Sequence, residues 1–304
     1  MRATSRIADV SINTVTKLLV DAGRACSAYQ DRVFRDLPCQ RVQVDEIWAF
    51  VGMKAANVPE GKKAPGVGDI WTWVAICADT RLVPSWWIGG RDAENARAFL
   101  SDLSGRVAGR IQLTSDGHSS YPDAVRDTFL DQVDHAQLVK QYGEAPESER
   151  RYSPPVCTGA KKHPVSGNPD RKHISTSFVE RQNLTMRMNI RRFTRPTNAF
   201  SRKAENHCHA VALHFMYYNF VRIHKTLRCT PAMAAGVTDR LWDVGDMVDV
   251  IEAWEREPDA GEATENADLE RLLDDADRMV PKRLHYRNTP FGPQKNSNSG
   301  TTDS

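Results

Sequence analysis

Between residues 40 and 139, strand-length and helix-length signals follow one another in an order that few folds accommodate. In QRVQVDEIWAFV, period-two alternation puts Val42, Val44, Trp48 and Phe50 on one face and Asp45, Ile47, Ala49 and Val51 on the other. IWTWVAICAD is apolar on both faces, as a strand covered on both sides must be. LVPSWWIGG carries Pro84, which removes a ladder donor and confines its strand to a sheet edge. Arg91 to Arg106 reads as a helix with Ala96, Phe99, Leu100 and Leu103 as its inner stripe. RIQLTSD is a short strand, SSYPDAVRDTF a helix and DQVDHAQLV a last strand. Three strands, a helix, a strand, a helix and a strand make the layout of an RNase H-like mixed sheet flanked by helices, with the strand of Pro84 at its edge.

The flanks read differently. SRIADVSINTVTKLLV has the form of a helix-turn-helix fragment over residues 1–25, with Ser11 as N-cap and Val15, Leu18 and Leu19 turned inward. Asn13, Thr14 and Lys17 would then point outward, where a recognition helix meets DNA; a plain capped helix fits the same residues. The α/β domain is expected over 38–235, with 140–175, rich in Pro, Gly and charge, as a long inserted loop that could turn a hairpin at Gly167-Asn168. Two helices follow, from about Phe178 to Arg195, stopped by Pro196, and from about Ala199 to Arg222. Residues 255–304 read as a mostly disordered acidic tail.

Net charge is only +2, but its distribution is uneven. From Lys140 to Arg228 there are 17 Lys and Arg against 6 acids, and from Asp239 to Asp277 there are 15 acids against 3 Arg. The basic segment suits an anionic partner. No apolar run approaches the roughly 18 residues of a membrane helix, and MRATSRIADV has no apolar signal core. The 6 cysteines show no metal-binding or disulfide spacing, which fits reduced thiols in a cytoplasm.

Three carboxylates stand out against that background. Asp45 lies within an apolar strand, where an acid is costly without a partner or a metal; an arginine ion pair is the alternative. Asp116 ends a strand, where an Asp-Gly turn or an N-cap would serve equally. Glu180 completes an S-x-x-E capping box with Ser177, yet it also leads a stripe of Asn183, Arg187 and Arg191 at helical spacing. Together the three could hold a pair of hard cations about 3.5–4 Å apart, the arrangement used for in-line phosphoryl transfer. Arg187, Arg191, Arg192 and Arg195 would contact phosphates, and His118 is a candidate neighbour of Asp116. His207 and His214 are seven residues apart, too far for helical zinc ligation, and the tryptophans read as packing residues.

VDEIWAFVG, WTWVAICADTRLVPSWWIGGRDA, LTSDGHSSY, STSFVERQNLTMRMNIRRFTRPTNAFSRKAENH and YYNFVRIHKTLRCTPAMAAG together resemble an insertion-sequence transposase of the IS-one family. The resemblance runs from about Arg2 to Trp242. It implies membership of the DDE transposase/integrase group, with an RNase H-like catalytic domain and Asp45, Asp116 and Glu180 as the DDE triad and metal ligands. It also implies Arg187 in the place of the group's basic residue seven positions after the glutamate. Asp116 and Glu180 stand 64 residues apart, wider than in many such enzymes.

The expectation is therefore a Mg²⁺-dependent DNA transposase, with two ions and Mn²⁺ as substitute, that cleaves strands at element ends and joins them to target DNA. A homo-oligomer on DNA, cytoplasmic and nucleoid-associated, is expected, with no membrane contact. The alternatives are a nuclease of the same fold that does not join, and an inactive DNA-binding regulator.

Overall fold

The computed structural model describes residues 1–59, 66–143, 157–194 and 198–257. Strands β1 (Arg41–Val51), β2 (Gly68–Cys77) and β3 (Ser85–Gly89) form an antiparallel meander. Helix α3 (Ala93–Ser104) then leads to β4 (Ile111–Ser115), which pairs parallel with β1. Helix α4 (Tyr121–Phe129) leads to β5 (Val133–Tyr142), parallel to β4. The sheet order β3-β2-β1-β4-β5-β6 gives the expected RNase H-like arrangement, with the strand after Pro84 at one edge.

The other edge is not as expected. Cys157–Ser166, read from the sequence as part of a loop, is a sixth strand, β6, antiparallel to β5. Its weak apolar content concealed it, because β6 is exposed along nearly all its length. Gly167, at φ +67°, turns the chain out of it, and Asn168 donates to Asp134 over 2.7 Å.

Alternation along β1 and β2 divides the interior into two layers. Val42, Val44, Trp73, Ala75 and Cys77 face α3 and α4 and pack with Phe99, Leu103 and Tyr121. Ile47, Ala49, Val74 and Ile76 face the opposite side, where α5 (Ser177–Asn189) and α6 (Ala204–Met216) bring Val179, Met186, Val211 and Phe215. The inner stripe of α3 is the expected one, since Ala96, Phe99, Leu100 and Leu103 are all buried, and Asp92 caps the helix by accepting from Asn95 N–H.

At the N-terminus, α1 (Arg2–Ile7) and α2 (Ile12–Val33) enclose a tight turn at Asp9, φ +49°. Ser11 caps α2 as the sequence predicts. Leu18, expected inside, is 58% exposed. Helix α2 does not stop at 25: its second half enters the core through Ala22, Ala25 and Cys26. There Gly23 lies so close to α6 that a Cβ would stand 2.4 Å from that of His209. Gln30, buried in the same half, is bonded to Asn219, whose amide also joins both backbone groups of Val83 at 3.0 Å.

The two helices of the basic segment are shorter than predicted. α5 ends at Asn189, because buried Phe193 draws the chain into a 3-10 turn over Arg191–Phe193. α6 begins only at Ala204, because Ser201 is bridged to Val51 and bonded to His207 Nδ1 at 2.9 Å. Helices α7 (Pro231–Ala234) and α8 (Val244–Arg256) complete the described chain. Pro196 and the predicted tail beyond residue 257 lie outside the described residues. Among the described residues no helix is long and apolar enough to cross a membrane.

Candidate metal centre

The sheet creates the site by coming apart. β1 and β4 pair in parallel from Arg41↔Gln112 to Gln43↔Thr114 and no further, although β1 continues to Val51. Asp45 lies two residues beyond the last pair on β1, and Asp116 two beyond it just past the end of β4. Into the opening project Asp45, Glu46 and Asp116, with one carboxylate oxygen of each within 4.8 Å of the others. All three donors are hard oxygens, the kind a divalent cation such as Mg²⁺ takes.

The surroundings hold these carboxylates individually. Asn183, on α5, donates from Nδ2 to Asp45 Oδ2 over 2.9 Å, and its own buried Oδ1 has no partner. Glu46 accepts from Arg91 Nε at 2.6 Å and from the Tyr121 hydroxyl at 3.1 Å, and its side chain is 1% exposed. The Arg91 guanidinium rests 4.7 Å over the Trp71 ring, which fixes its direction. Asp116 Oδ1 accepts from the backbone N–H of His118 at 2.9 Å, while Gln137 Nε2 donates to the carbonyls of Asp116 and His118. The His118 ring stands edge-on to Trp73 and Tyr121, and burial together with Arg91 lowers its pKa.

Crowding of like charges is visible in the proton affinities. Burial, with Glu46 and Asp116 next and Glu180 more weakly, pushes the Asp45 carboxyl up to about 7. Burial and Asp116 raise Glu46 also, against the pull of Arg91 and Tyr121. A pocket that makes its own acids reluctant to ionise, while leaving a buried amide oxygen unpaired, is short of positive charge. The residues therefore fit a cation.

Glu180 belongs to this neighbourhood but not to the cluster. It sits in the first turn of α5, and its carboxylate accepts from Lys140 Nζ at 2.5 Å and from the Thr176 hydroxyl. The capping box is not formed: Thr176 is the N-cap residue, and Ser177 N–H goes to Ser175 Oγ. The exposed N–H groups of α5 are taken instead by buried Gln43 of β1, whose Oε1 accepts from Phe178 at 2.8 Å and Val179 at 3.2 Å. That bond ties the start of α5 to the strand that carries Asp45.

The basic stripe differs from expectation. Asn183 is 3% exposed and bonded to Asp45, so it is no surface contact. Arg187 is exposed on α5, but Arg191 has left the helix for the 3-10 turn, where it too is exposed. Arg192 is half-buried and donates to Ser201 Oγ at 2.8 Å, a structural bond. Arg195 lies outside the described residues. Asn13, Thr14 and Lys17 are exposed on α2, with Lys17 paired to Asp21 at 2.6 Å. Sequence reasoning missed Glu46, Gln43, Lys140, Arg91 and Tyr121. Only Glu46 carried a signal, as an acid interrupting the apolar face of Val42, Val44 and Trp48.

The fold and the acids thus define an RNase H-like protein with a carboxylate cluster where β1 and β4 separate. The chain is weakly homologous to the insertion element iso-IS1n protein InsB of Shigella dysenteriae, 29% identical over 165 residues, which are 54% of this chain and 86% of that one. This bears out the resemblance to the IS-one insertion-sequence proteins. No protein-family model matches the chain. Among solved structures it overlays loosely on a chain of the simian T-cell lymphotropic virus intasome in complex with the PP2A regulatory subunit B56 gamma, with TM-score 0.39 and 12% identity over 68% of this chain and 57% of that one. It overlays also on the piggyBac transposase synaptic complex with hairpin DNA, with TM-score 0.33 and 13% identity over 81% and 59%. The fold assignment rests on strand order, not on these overlays.

Proposed function

We propose that the protein is a DNA transposase that cuts a strand at element ends and joins it to target DNA. The observation that carries this reading is the meeting of Asp45, Glu46 and Asp116 within 4.8 Å at the parting of β1 and β4. Homology to an insertion-element protein directs that chemistry to DNA. Asp45 and Asp116 would hold Mg²⁺, or Mn²⁺ in its place, with Glu180 completing the set of ligands. Two such ions, when bound, supply activation of the attacking oxygen and neutralisation of charge on the phosphate.

The chain's own residues do the positioning. Asn183 turns Asp45 toward the opening, and the His118 N–H fixes Asp116. Arg91 and Tyr121 hold Glu46, which adds negative charge to the site without being free to swing. Gln43 sets α5, and so Glu180, against β1. Exposed Arg187 and Arg191 would bind phosphates, and Asn13, Thr14 and Lys17 would face a groove, on a homo-oligomer that brings paired ends together.

The test uses labelled pre-cut element ends, target plasmid and Mg²⁺. Joined product is expected from the wild type and not from Glu180→Gln, which should still bind DNA. Cleavage without joining would identify a nuclease instead. DNA binding with neither cleavage nor joining, in wild type and Asp45→Asn alike, would leave only a DNA-binding regulator.

A further inference from the structure

The edge strand β6 has no part in the site described so far, yet its charge and place require an account. Among the described residues it pairs only with β5, and no strand lies on its outer edge. Lys161 and Lys162 lie exposed on it, and Arg171 and Lys172, also exposed, follow just after it. Over residues 157–173 the only acid is Asp170, already bonded to His173 Nδ1 at 2.8 Å. Lys161, Arg171 and Lys172 have no ion-pair partner at salt-bridge distance among the described residues, and Lys162 Nζ meets only the carbonyl of Arg171, at 2.8 Å. An open edge could in principle add a strand from another chain, but lysines along an edge oppose such pairing. They favour a polyanion.

The edge is also coupled to the carboxylates. Lys161 stands opposite Val139 of β5, and a Cβ on Gly117 would lie 3.2 Å from a methyl of that valine. Gly117 directly follows Asp116. Lys161 is thus one cross-strand step and one contact from the loop that carries Asp116. Lys162, opposite Leu138, projects to the other face, which it shares with Lys140. Strands lie about 4.8 Å apart, so β6 runs roughly 10 Å from β4. Phosphates advance about 3.4 Å per nucleotide along a duplex strand, so that offset spans about three nucleotides.

We infer that the β6 edge, through Lys161 and Lys162 with Arg171 and Lys172, is a second DNA-binding surface that grips the backbone about three nucleotides from the phosphate under attack. This rests on the DNA reading above and extends it to a surface separate from Arg187 and Arg191. Because the two lysines are exposed, the double variant Lys161→Gln/Lys162→Gln should fold normally, which circular dichroism and thermal melting check.

The experiment is fluorescence anisotropy of a labelled mixed-sequence DNA duplex with full-length protein over a series of KCl concentrations. Each lost phosphate contact removes about 0.9 from the slope of log K against log salt, so the variant's slope should be shallower by about 1.8. An unchanged slope overturns the inference while leaving the proposed function standing. An unchanged slope with a changed sedimentation mass would assign the edge to contact between copies. A wild type that binds no duplex at all would overturn both readings.

Discussion

Asp45→Asn should make the metal-free protein more stable. Asp45 is held at about 7 against 3.8 for an ordinary aspartate, chiefly by burial and by Glu46 and Asp116. Each unit of that displacement is worth about 1.4 kcal/mol, so carrying the charge well above pH 7 costs the native state roughly 4 kcal/mol. Asparagine keeps an oxygen to accept the 2.9 Å bond from Asn183 and carries no charge. Part of the gain will be lost to imperfect fit, so about 1–4 kcal/mol is expected at pH 8 in EDTA, near 2–4 °C in Tm per kcal/mol for a chain of this size. A carboxyl with a raised native pKa supports the fold below pH 3.8 and ceases to do so as pH climbs through 7. The two melting curves should therefore coincide near pH 4 and separate toward pH 8. Adding Mg²⁺ should then reverse the order, since a ligand at a hundredfold its Kd adds about 2.7 kcal/mol to whichever form binds it. Differential scanning calorimetry with and without EDTA measures all of this. A variant less stable than wild type at pH 8 in EDTA would refute the reasoning, because burial and the neighbouring acids would then not be penalising the charge on Asp45.

Three further outcomes follow from the same geometry. Lys140→Gln removes the ammonium that now occupies Glu180, so isothermal calorimetry should show tighter Mn²⁺ binding; equal affinity would mean that the ion pair does not compete. Gln43→Ala leaves the N–H groups of Phe178 and Val179 without their acceptor, and chemical denaturation should register a loss of about 1–3 kcal/mol; no loss would mean that α5 is positioned by its apolar face alone. His135, His207 and His214 are buried with an unpartnered ring nitrogen each and are lowered to about 4 by burial, with a nearby arginine adding to the effect at His207 and His214. Their support for the fold, up to about 3 kcal/mol each, is present above pH 6.5 and lost as pH falls toward 4; urea midpoints that stay flat over this range, in the Asp45→Asn background, would exclude it.

The strand and helix order was legible because it depends on local alternation: Val42 and Val44 against Ile47 and Ala49, and the i, i+3, i+4 stripe of α3, need no knowledge of what packs on them. Asp45 was legible for the same reason, as a charge in an apolar run. What escaped is what the chain settles at a distance. The Gln43 side chain that caps α5 lies 135 residues from Phe178, and Lys140, which neutralises Glu180, looked like the start of a polar loop. The S-x-x-E pattern was misleading because the hydroxyl that Glu180 meets belongs to Thr176, one residue earlier. β6 was hidden by its composition, since an edge strand bathed in solvent needs no apolar face. Arg191 left the predicted stripe because the chain turns through Arg191–Phe193 in a 3-10 turn that buries Phe193.

Helix α2 has one end in water and the other clamped between Gly23, His209 and the Gln30–Asn219 bonds. At 1.5 Å per residue its 22 residues make a rod of roughly 33 Å with no joint along it. Any partner bound at its exposed end would consequently be held at a set span and angle from the carboxylates, as the jaws of a caliper are held by a common beam. Lengthening the rod by a single residue would turn the free end by about 100° about the axis, and inserting a flexible break would abolish the measurement altogether.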